Sequence, residues 1–403
     1  MSNLQRTMLK GRLPPTIPSS RIGRSDSFKK SRVRDFKPSL WSEFFDEKDD
    51  VVVDEKRTFR IYRTKQPEKP GPVLLLLHGG GYSGLTWAHF CMEITNMIHC
   101  QCLSIDLRGH GDTQTDDEDD LSADTLAKDI GDLLLKIYPA NMPPIYIVGH
   151  SMGGAIAVHF ASMELISNII GITVIDVVEG TAMEALASMQ SFLRSRPQYF
   201  KSIPNAIEWC IRSGQIRNLD SAKISMPGQI INCTTKKLAT NELPLAEDDE
   251  ETEAAGTTKY IHPFSISEDE EVTGETTPTE VNKKELDFKK PLASHDENNK
   301  KYTWRIDLSK SEKYWIGWFS GLSEKFLNLR LPKQLLLASI DGLDKALTVG
   351  QMQGRFQMQV LARCGHAVHE DRPHEVAEVL SGYLIRNRCA EAAGDFRCHL
   401  PAC

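Results

Sequence analysis

The run Val73 to Leu77, "VLLLL", places five apolar residues in a row with no polar alternation. A strand with one face in water alternates apolar and polar side chains, so such a run belongs to a strand covered on both faces. The same character recurs in "CLSIDL", "IYIVGH", "GITVIDVV" and "KQLLLAS". Helix-period stretches separate these runs, among them "LSADTLAKDIGDLLLKIY" and the segment that begins at Met152. With "FRIYR" before the series and "FQMQVLARCGH" closing it, the alternation predicts parallel βαβ units, an α/β sheet with helices on both faces.

The chain has 403 residues, 40% hydrophobic and 26% charged, enough for a full core. Its formal charge of -7 provides no basic face for nucleic acid, and no apolar run approaches a membrane span. The first residues, "MSNLQRTMLKGRLPP", lack the continuous apolar stretch of a secretory signal, so a cytoplasmic or nuclear location is expected. Nine cysteines without a CxxC pair argue against a zinc site or a disulfide framework and read as reduced thiols.

Residues 1–38 read as a disordered basic Ser/Pro-rich tail, in which "RSDSFKKSRVR" is a solvated leader or a kinase or nuclear-import target. Residues 39–403 form one α/β domain with two departures. Residues 180–232 have a helical stripe, Met183, Leu186, Met189, Phe192 and Leu193, expected to build a cap over the carboxyl ends of the strands. Residues 234–300, with "AEDDEETEAAGTT" and "SEDEEVTGETTPTE", are expected to be an acidic disordered loop. Order is expected to return at "KYTWRIDLSKSEKYWIGWFSGLSEKFL", with Trp304, Trp315, Trp318 and Phe319 packing on core or cap.

Gly149-His150-Ser151-Met152-Gly153 fits G-x-S-x-G, and it stands where a strand passes into a helix. That is the setting of a nucleophile elbow, in which a cramped turn presents the serine hydroxyl at the sheet edge. "LLLLHGGGYSG" supplies a second glycine turn after an earlier strand. Backbone N–H groups of Gly80, Gly81 and Met152 are the expected oxyanion-hole donors. The base should come late, and "ARCGHAVHEDRP" offers His366, directly after a glycine at a strand end, with His369 read as an ordinary residue of the next helix. The acid is open on spacing alone among Asp176, Asp341 and Asp344, which all follow strands.

At these residues the chain resembles the α/β-hydrolase superfamily, through "HGGG", "SIDLRGHGDT", "GHSMGG" and "CGHAVHEDRP". Within it the chain is similar to the protein phosphatase methylesterase family, whose members remove the methyl ester from the C-terminal leucine of the protein phosphatase 2A catalytic subunit. "VIDVVEGTAMEAL", "NAIEWCIRSGQIRNL", "YTWRIDL", "KYWIGWFSGLS" and "MQGRFQMQVLARCGHAVHED" carry that resemblance over most of residues 41–396.

The resemblance implies the α/β-hydrolase fold, a Ser151, Asp176 and His366 triad, substrate contacts at Trp209 and Met352, no cofactor or metal, and a monomer that partners the phosphatase and its holoenzymes. "SISEDEE", Ser265 to Glu271, is a loose match to an acidic holoenzyme-binding motif. A large partner interface leads one to expect a loosely aligned triad in the isolated chain. Two other activities fit the same residues: a general small-ester carboxylesterase or lipase, and a phosphatase-binding inhibitor with catalysis secondary.

Overall fold

The computed structural model describes residues 34–243, 300–340, 343–394 and 396. The basic segment up to Val33, the acidic stretch 244–299 with Ser265–Glu271, and Asp341 lie outside the described residues.

Twelve strands are present among the described residues: β1 (Glu47–Asp54), β2 (Arg57–Arg63), β3 (Val73–Leu77), β4 (Gln101–Ile105), β5 (Gln114–Thr115), β6 (Ile145–His150), β7 (Ile169–Ile175), β8 (Tyr199–Phe200), β9 (Ile230–Asn232), β10 (Tyr302–Trp304), β11 (Lys333–Leu337) and β12 (Gln357–Val360). Nine form the main sheet in the order β1-β2-β4-β3-β6-β7-β11-β12, with β5 beside β2. From β4 to β12 every pairing is parallel, whereas β1, β2 and β5 form an antiparallel edge. The sheet is mostly parallel and flanked by helices, as the apolar runs predict, and the fold is the α/β-hydrolase fold that the resemblance implies.

Burial explains the missing alternation. Leu74 to Leu77 are all at 0% exposure: Leu75 and Leu77 pack with helix Ala123–Ile137, and Leu74 and Leu76 pack with helices Ala88–Met97 and Pro373–Arg386 on the opposite face. Each fully buried leucine contributes roughly 1.5–3 kcal/mol of hydrophobic stabilisation. Helix Ala123–Ile137 starts at an N-cap, Ser122, whose hydroxyl accepts the Thr125 N–H, and it turns Leu126, Ile130, Leu133 and Leu134 inward. Helix Met152–Ser162 is buried from Met152 to Ala161, which accounts for its glycines and alanines: it runs between the sheet and outer helices and has no water-facing side there.

The cap contains helices Glu179–Ser195, Ile203–Ser213 and Leu219–Ser225, as its stripe predicts. It also contains an antiparallel sheet, β8-β10-β9, that the sequence reading lacks. Strands of two or three residues have too few positions to show a period. Structure also continues past the expected start of the acidic loop: Ala239 to Glu242 form a 3-10 turn with Ala239 and Thr240 buried, and Glu242 accepts the Tyr302 hydroxyl at 2.8 Å. Residues 234–243, expected to begin the acidic loop, thus belong to the described structure.

Leu76→Ala is expected to destabilise the protein by about 2–5 kcal/mol, because the site is walled by strands that cannot collapse into the space. The shift in urea midpoint measured by far-ultraviolet circular dichroism checks this; a change within error of zero would mean the layer tolerates the void.

Candidate active site

The carboxyl ends of β3, β6 and β7 are brought level by their register, with Leu77 opposite Gly149 and His150 opposite Ile175. The residues that leave these three ends are the glycine turn, Ser151 and Asp176. Ser151 takes φ 52° and ψ -121°, a conformation sparsely populated by side-chain-bearing residues and held only when its surroundings over-determine it. The flanking glycines are what allow it. A Cβ on Gly149 would stand 2.3 Å from the Gly153 carbonyl oxygen, and one on Gly153 would stand 2.4 Å from those of Leu77 and His78. The G-x-S-x-G spacing is therefore a packing requirement of the elbow.

The Ser151 hydroxyl lies 2.9 Å from His366 Nε2, and His366 Nδ1 lies 2.8 Å from Asp176 Oδ2. Asp176 also has positive φ, 52°, and its other oxygen accepts the Ala338 N–H at 2.9 Å. Burial alone would raise the Asp176 pKa, but the hydrogen bonds from His366 and Ala338 outweigh it and hold the carboxyl below its ordinary value. Since Asp176 is ionised it can only accept, so His366 donates from Nδ1 and turns its Nε2 toward the serine hydroxyl. The loose alignment expected of the isolated chain is not found. Two fixed anchors account for this: the Ala338 N–H on the carboxylate, and His150 Nε2, which donates to the His366 carbonyl oxygen at 2.8 Å.

Asp344 is not part of this relay. It is the N-cap of helix Lys345–Met352, where one oxygen accepts the Leu347 N–H and the other the Ser323 hydroxyl. His369 lies in helix Val368–Asp371, outside the relay; it is buried against Trp87, with ring centroids 4.1 Å apart, and bonds Thr86.

The glycine turn is set by two further histidines. His78 Nε2 accepts the Leu107 N–H, and its Nδ1 donates to the Gly79 carbonyl. His110 Nδ1 donates to the Arg108 carbonyl, and its Nε2 accepts the Gly81 N–H at 2.9 Å. That last bond corrects one expectation: the Gly81 N–H is committed and does not face an oxyanion. The N–H groups of Gly80 and Met152 have no partner among the described residues, and both residues line the cavity above Ser151.

"SIDLRGHGDT" now has a physical reading. Arg108 grips Asp129 with two nitrogens, at 2.7 and 2.9 Å, and so ties the loop to helix Ala123–Ile137. Asp106 accepts the N–H groups of Gly84 and Asp112, and its carboxyl is pushed up to about 7 by burial. Gly111 is excluded from bearing a side chain by Asp106, which would lie 1.8 Å from its Cβ.

Above the relay is a cavity of about 610 Å³. One wall is the cap helix, through Met189, Phe192, Leu193 and Arg196; another is Trp315, Trp318 and Phe319 from the return segment. Met183 and Leu186 do not line it. Trp209 and Met352, expected as substrate contacts, do not line it. Trp209 packs into an aromatic cluster with Phe200 and Trp304, at 5.7 and 5.4 Å, because the apolar face of its helix turns into the cap's own core. Met352 ends its helix at 84% exposure, away from the cavity. Arg196 and the positioning histidines 78, 110 and 150 were missed: Arg196 meets the Trp304 ring and each histidine bonds a backbone atom far along the chain, which no local pattern displays.

Among the described residues no group of three or more His, Cys, Asp or Glu is placed to hold a metal ion, and no helix is long and apolar enough to cross a membrane.

Burial drops the His110 pKa to about 4. Below pH 6.5 the unfolded chain then binds a proton that the folded chain refuses, so stability falls as pH is lowered from 6.5 toward 4, by roughly 2–3 kcal/mol from this group. His110→Gln cannot titrate but can accept the Gly81 N–H. Its stability-against-pH curve is expected to be flatter than the wild type's over that interval; parallel curves would refute the assignment.

The sequence profile described as alpha/beta hydrolase fold matches residues 72–373. The protein phosphatase methylesterase 1 of Mus musculus is 48% identical over 411 residues, covering 100% of both chains. That of Homo sapiens is 48% identical over 412 residues, again over 100% of both. The Schizosaccharomyces pombe protein of the same name is 34% identical over 359 residues, 87% of this chain and 86% of that one. Among solved structures, E-2-(acetamidomethylene)succinate hydrolase superposes with a TM-score of 0.58 at 14% identity, covering 84% of this chain and 99% of the other. A Mycobacterium tuberculosis esterase superposes at 0.52 with 16% identity, over 84% and 92%. These two likenesses speak for the fold alone.

Proposed function

The chain belongs to the protein phosphatase methylesterase family of α/β hydrolases and is a carboxylic ester hydrolase; on that premise we propose that it removes the methyl ester from the C-terminal leucine of the protein phosphatase 2A catalytic subunit. Ser151 is the nucleophile in this reading, His366 the base and Asp176 the acid. The observation that carries it is the unbroken hydrogen-bonded relay from Asp176 through His366 to Ser151, opening into an apolar cavity.

His366 Nε2 takes the hydroxyl proton as Ser151 Oγ attacks the ester carbonyl. The carbonyl oxygen, now negative, is received by the N–H groups of Gly80 and Met152, the second at the start of a helix whose dipole favours negative charge. Loss of one such donor typically costs roughly 3–4 kcal/mol of transition-state stabilisation. The tetrahedral adduct collapses and methanol leaves with the proton returned by His366. Water, deprotonated by the same nitrogen, then attacks the acyl-enzyme and releases a free C-terminal carboxylate. Asp176 holds the imidazole in the productive tautomer and stabilises the imidazolium that forms at each step. The leucine side chain packs against Met189, Phe192 and Trp318, and the rest of the phosphatase tail leaves through the open side of the cavity. No metal or organic cofactor takes part.

Mass spectrometry of the C-terminal peptide of the methylated catalytic subunit tests this. The wild type is expected to remove one methyl group and Ser151→Ala none, while Asp176→Asn retains the geometry and loses about 10³- to 10⁴-fold in rate. Retention of the methyl group by a wild-type protein whose Ser151 still reacts with a fluorophosphonate would move the reading to a general small-ester hydrolase.

A further inference from the structure

Arg196 is the C-cap residue of the cap helix Glu179–Ser195, and its guanidinium enters the same cavity as Ser151. Its Cζ lies 3.3 Å from the centre of the Trp304 ring, and Trp304 Nε1 donates to the Pro197 carbonyl at 2.7 Å, so ring and backbone are fixed together. One nitrogen reaches within 3.9 Å of where a Cβ on Gly81 would stand, which puts the charge beside the glycine turn.

Among the described residues the group has no anion. Other well-buried arginines are paired: Arg60 with Asp50 and Asp112, Arg108 with Asp129, and Arg305 with Glu118. No carboxylate among the described residues lies within ion-pair distance of Arg196, and its Nε is buried without a hydrogen-bond partner. Burial lowers its pKa to about 10, the mark of a cation deprived of solvent and counter-charge. The ring face of Trp304 offsets part of that cost but leaves the in-plane N–H fork unused. That fork is the geometry that receives a carboxylate through two parallel bonds.

The chemistry of the reaction says which side of the substrate can supply it. If the leaving group is methanol, as the reading above has it, everything else that fills a cavity of about 610 Å³ belongs to the acyl side. A volume of this class holds a ligand much larger than one leucine side chain.

We propose that Arg196 is a specificity-determining residue that pairs with an aspartate or glutamate side chain a few residues before the ester-bearing C-terminal residue. The proposal rests on the ester-hydrolase reading of Ser151, and the experiment separates the two.

Acetylated hexapeptide methyl esters ending in leucine would carry one glutamate at each of the positions two to five from the ester. They are compared with the all-glutamine peptide by kcat/KM. With wild type, one position is expected to exceed the all-glutamine peptide by about tenfold to a hundredfold, the range of a charge-assisted hydrogen bond. Arg196→Met should abolish that preference, bringing the favoured glutamate peptide down to the all-glutamine peptide's kcat/KM, and Arg196→Lys should retain part of it. Thermal melting and fluorophosphonate labelling of Ser151 establish that each variant is folded with a working nucleophile.

Equal hydrolysis of all peptides by wild type overturns the proposal and leaves the esterase reading standing. So does an Arg196→Met protein that slows every peptide alike, which would assign the residue to the cap's architecture. Hydrolysis of none by a wild type that labels at Ser151 overturns the methylesterase reading, and the proposal with it.

Discussion

Ser151 occupies a backbone conformation that a residue with a side chain adopts only under compulsion, and the carboxyl edge of the sheet is arranged to compel it. Gly149 and Gly153 touch backbone atoms with no space for a methyl group, so β6 and the following helix press together beneath the serine. The Ser151 N–H donates to the Ile175 carbonyl, which fixes the elbow to the last residue of β7. The residue that follows β7 is Asp176. This hydrogen bond thus ties the Ser151 backbone to the residue beside the Asp176 carboxylate, and His366 has only to bridge a gap the sheet has already narrowed.

Around this elbow the polar groups are neutral histidines kept out of water. His78, His110 and His150 each donate from one ring nitrogen to a backbone carbonyl. His78 and His110 each use the other nitrogen to accept a backbone N–H. Burial keeps all three far below their ordinary pKa, so they act as fixed hydrogen-bond linkers and not as charges. This keeps the field at Ser151 simple. Among the described residues the ionised groups bordering the cavity are Asp176, which is paired, and Arg196, which is not.

The layered sheet was legible from the apolar runs alone, because a strand buried on both faces has no other way to be written. Ser151, the glycine turn and His366 were legible because each combines a residue type with a strand end. The acid was not. Asp176 and Asp344 both follow strands, and what separates them is a left-handed backbone at one and a helix cap at the other. Gly81 failed as an oxyanion donor for a similar reason, since its N–H is taken by a histidine 29 residues further on. Trp209 was expected as a substrate contact only through the resemblance, and no pattern around it displays its partners. Only packing shows that it turns toward Phe200 and Trp304.

The small cap sheet has a consequence for how this chain can vary. β9 precedes the acidic stretch and β10 follows it, and the two pair directly, with Tyr302 opposite Asn232 and the Cys233 N–H on the Lys301 carbonyl. Glu242 clasps Tyr302 from the same side. The stretch from 244 to 299 therefore leaves and re-enters at a closed stem. For a loop on such a stem, each doubling of length costs only about 0.6 kcal/mol of closure entropy. The pairing that holds the cap strands together above Ser151 is therefore made by residues on both sides of that stretch and by none within it.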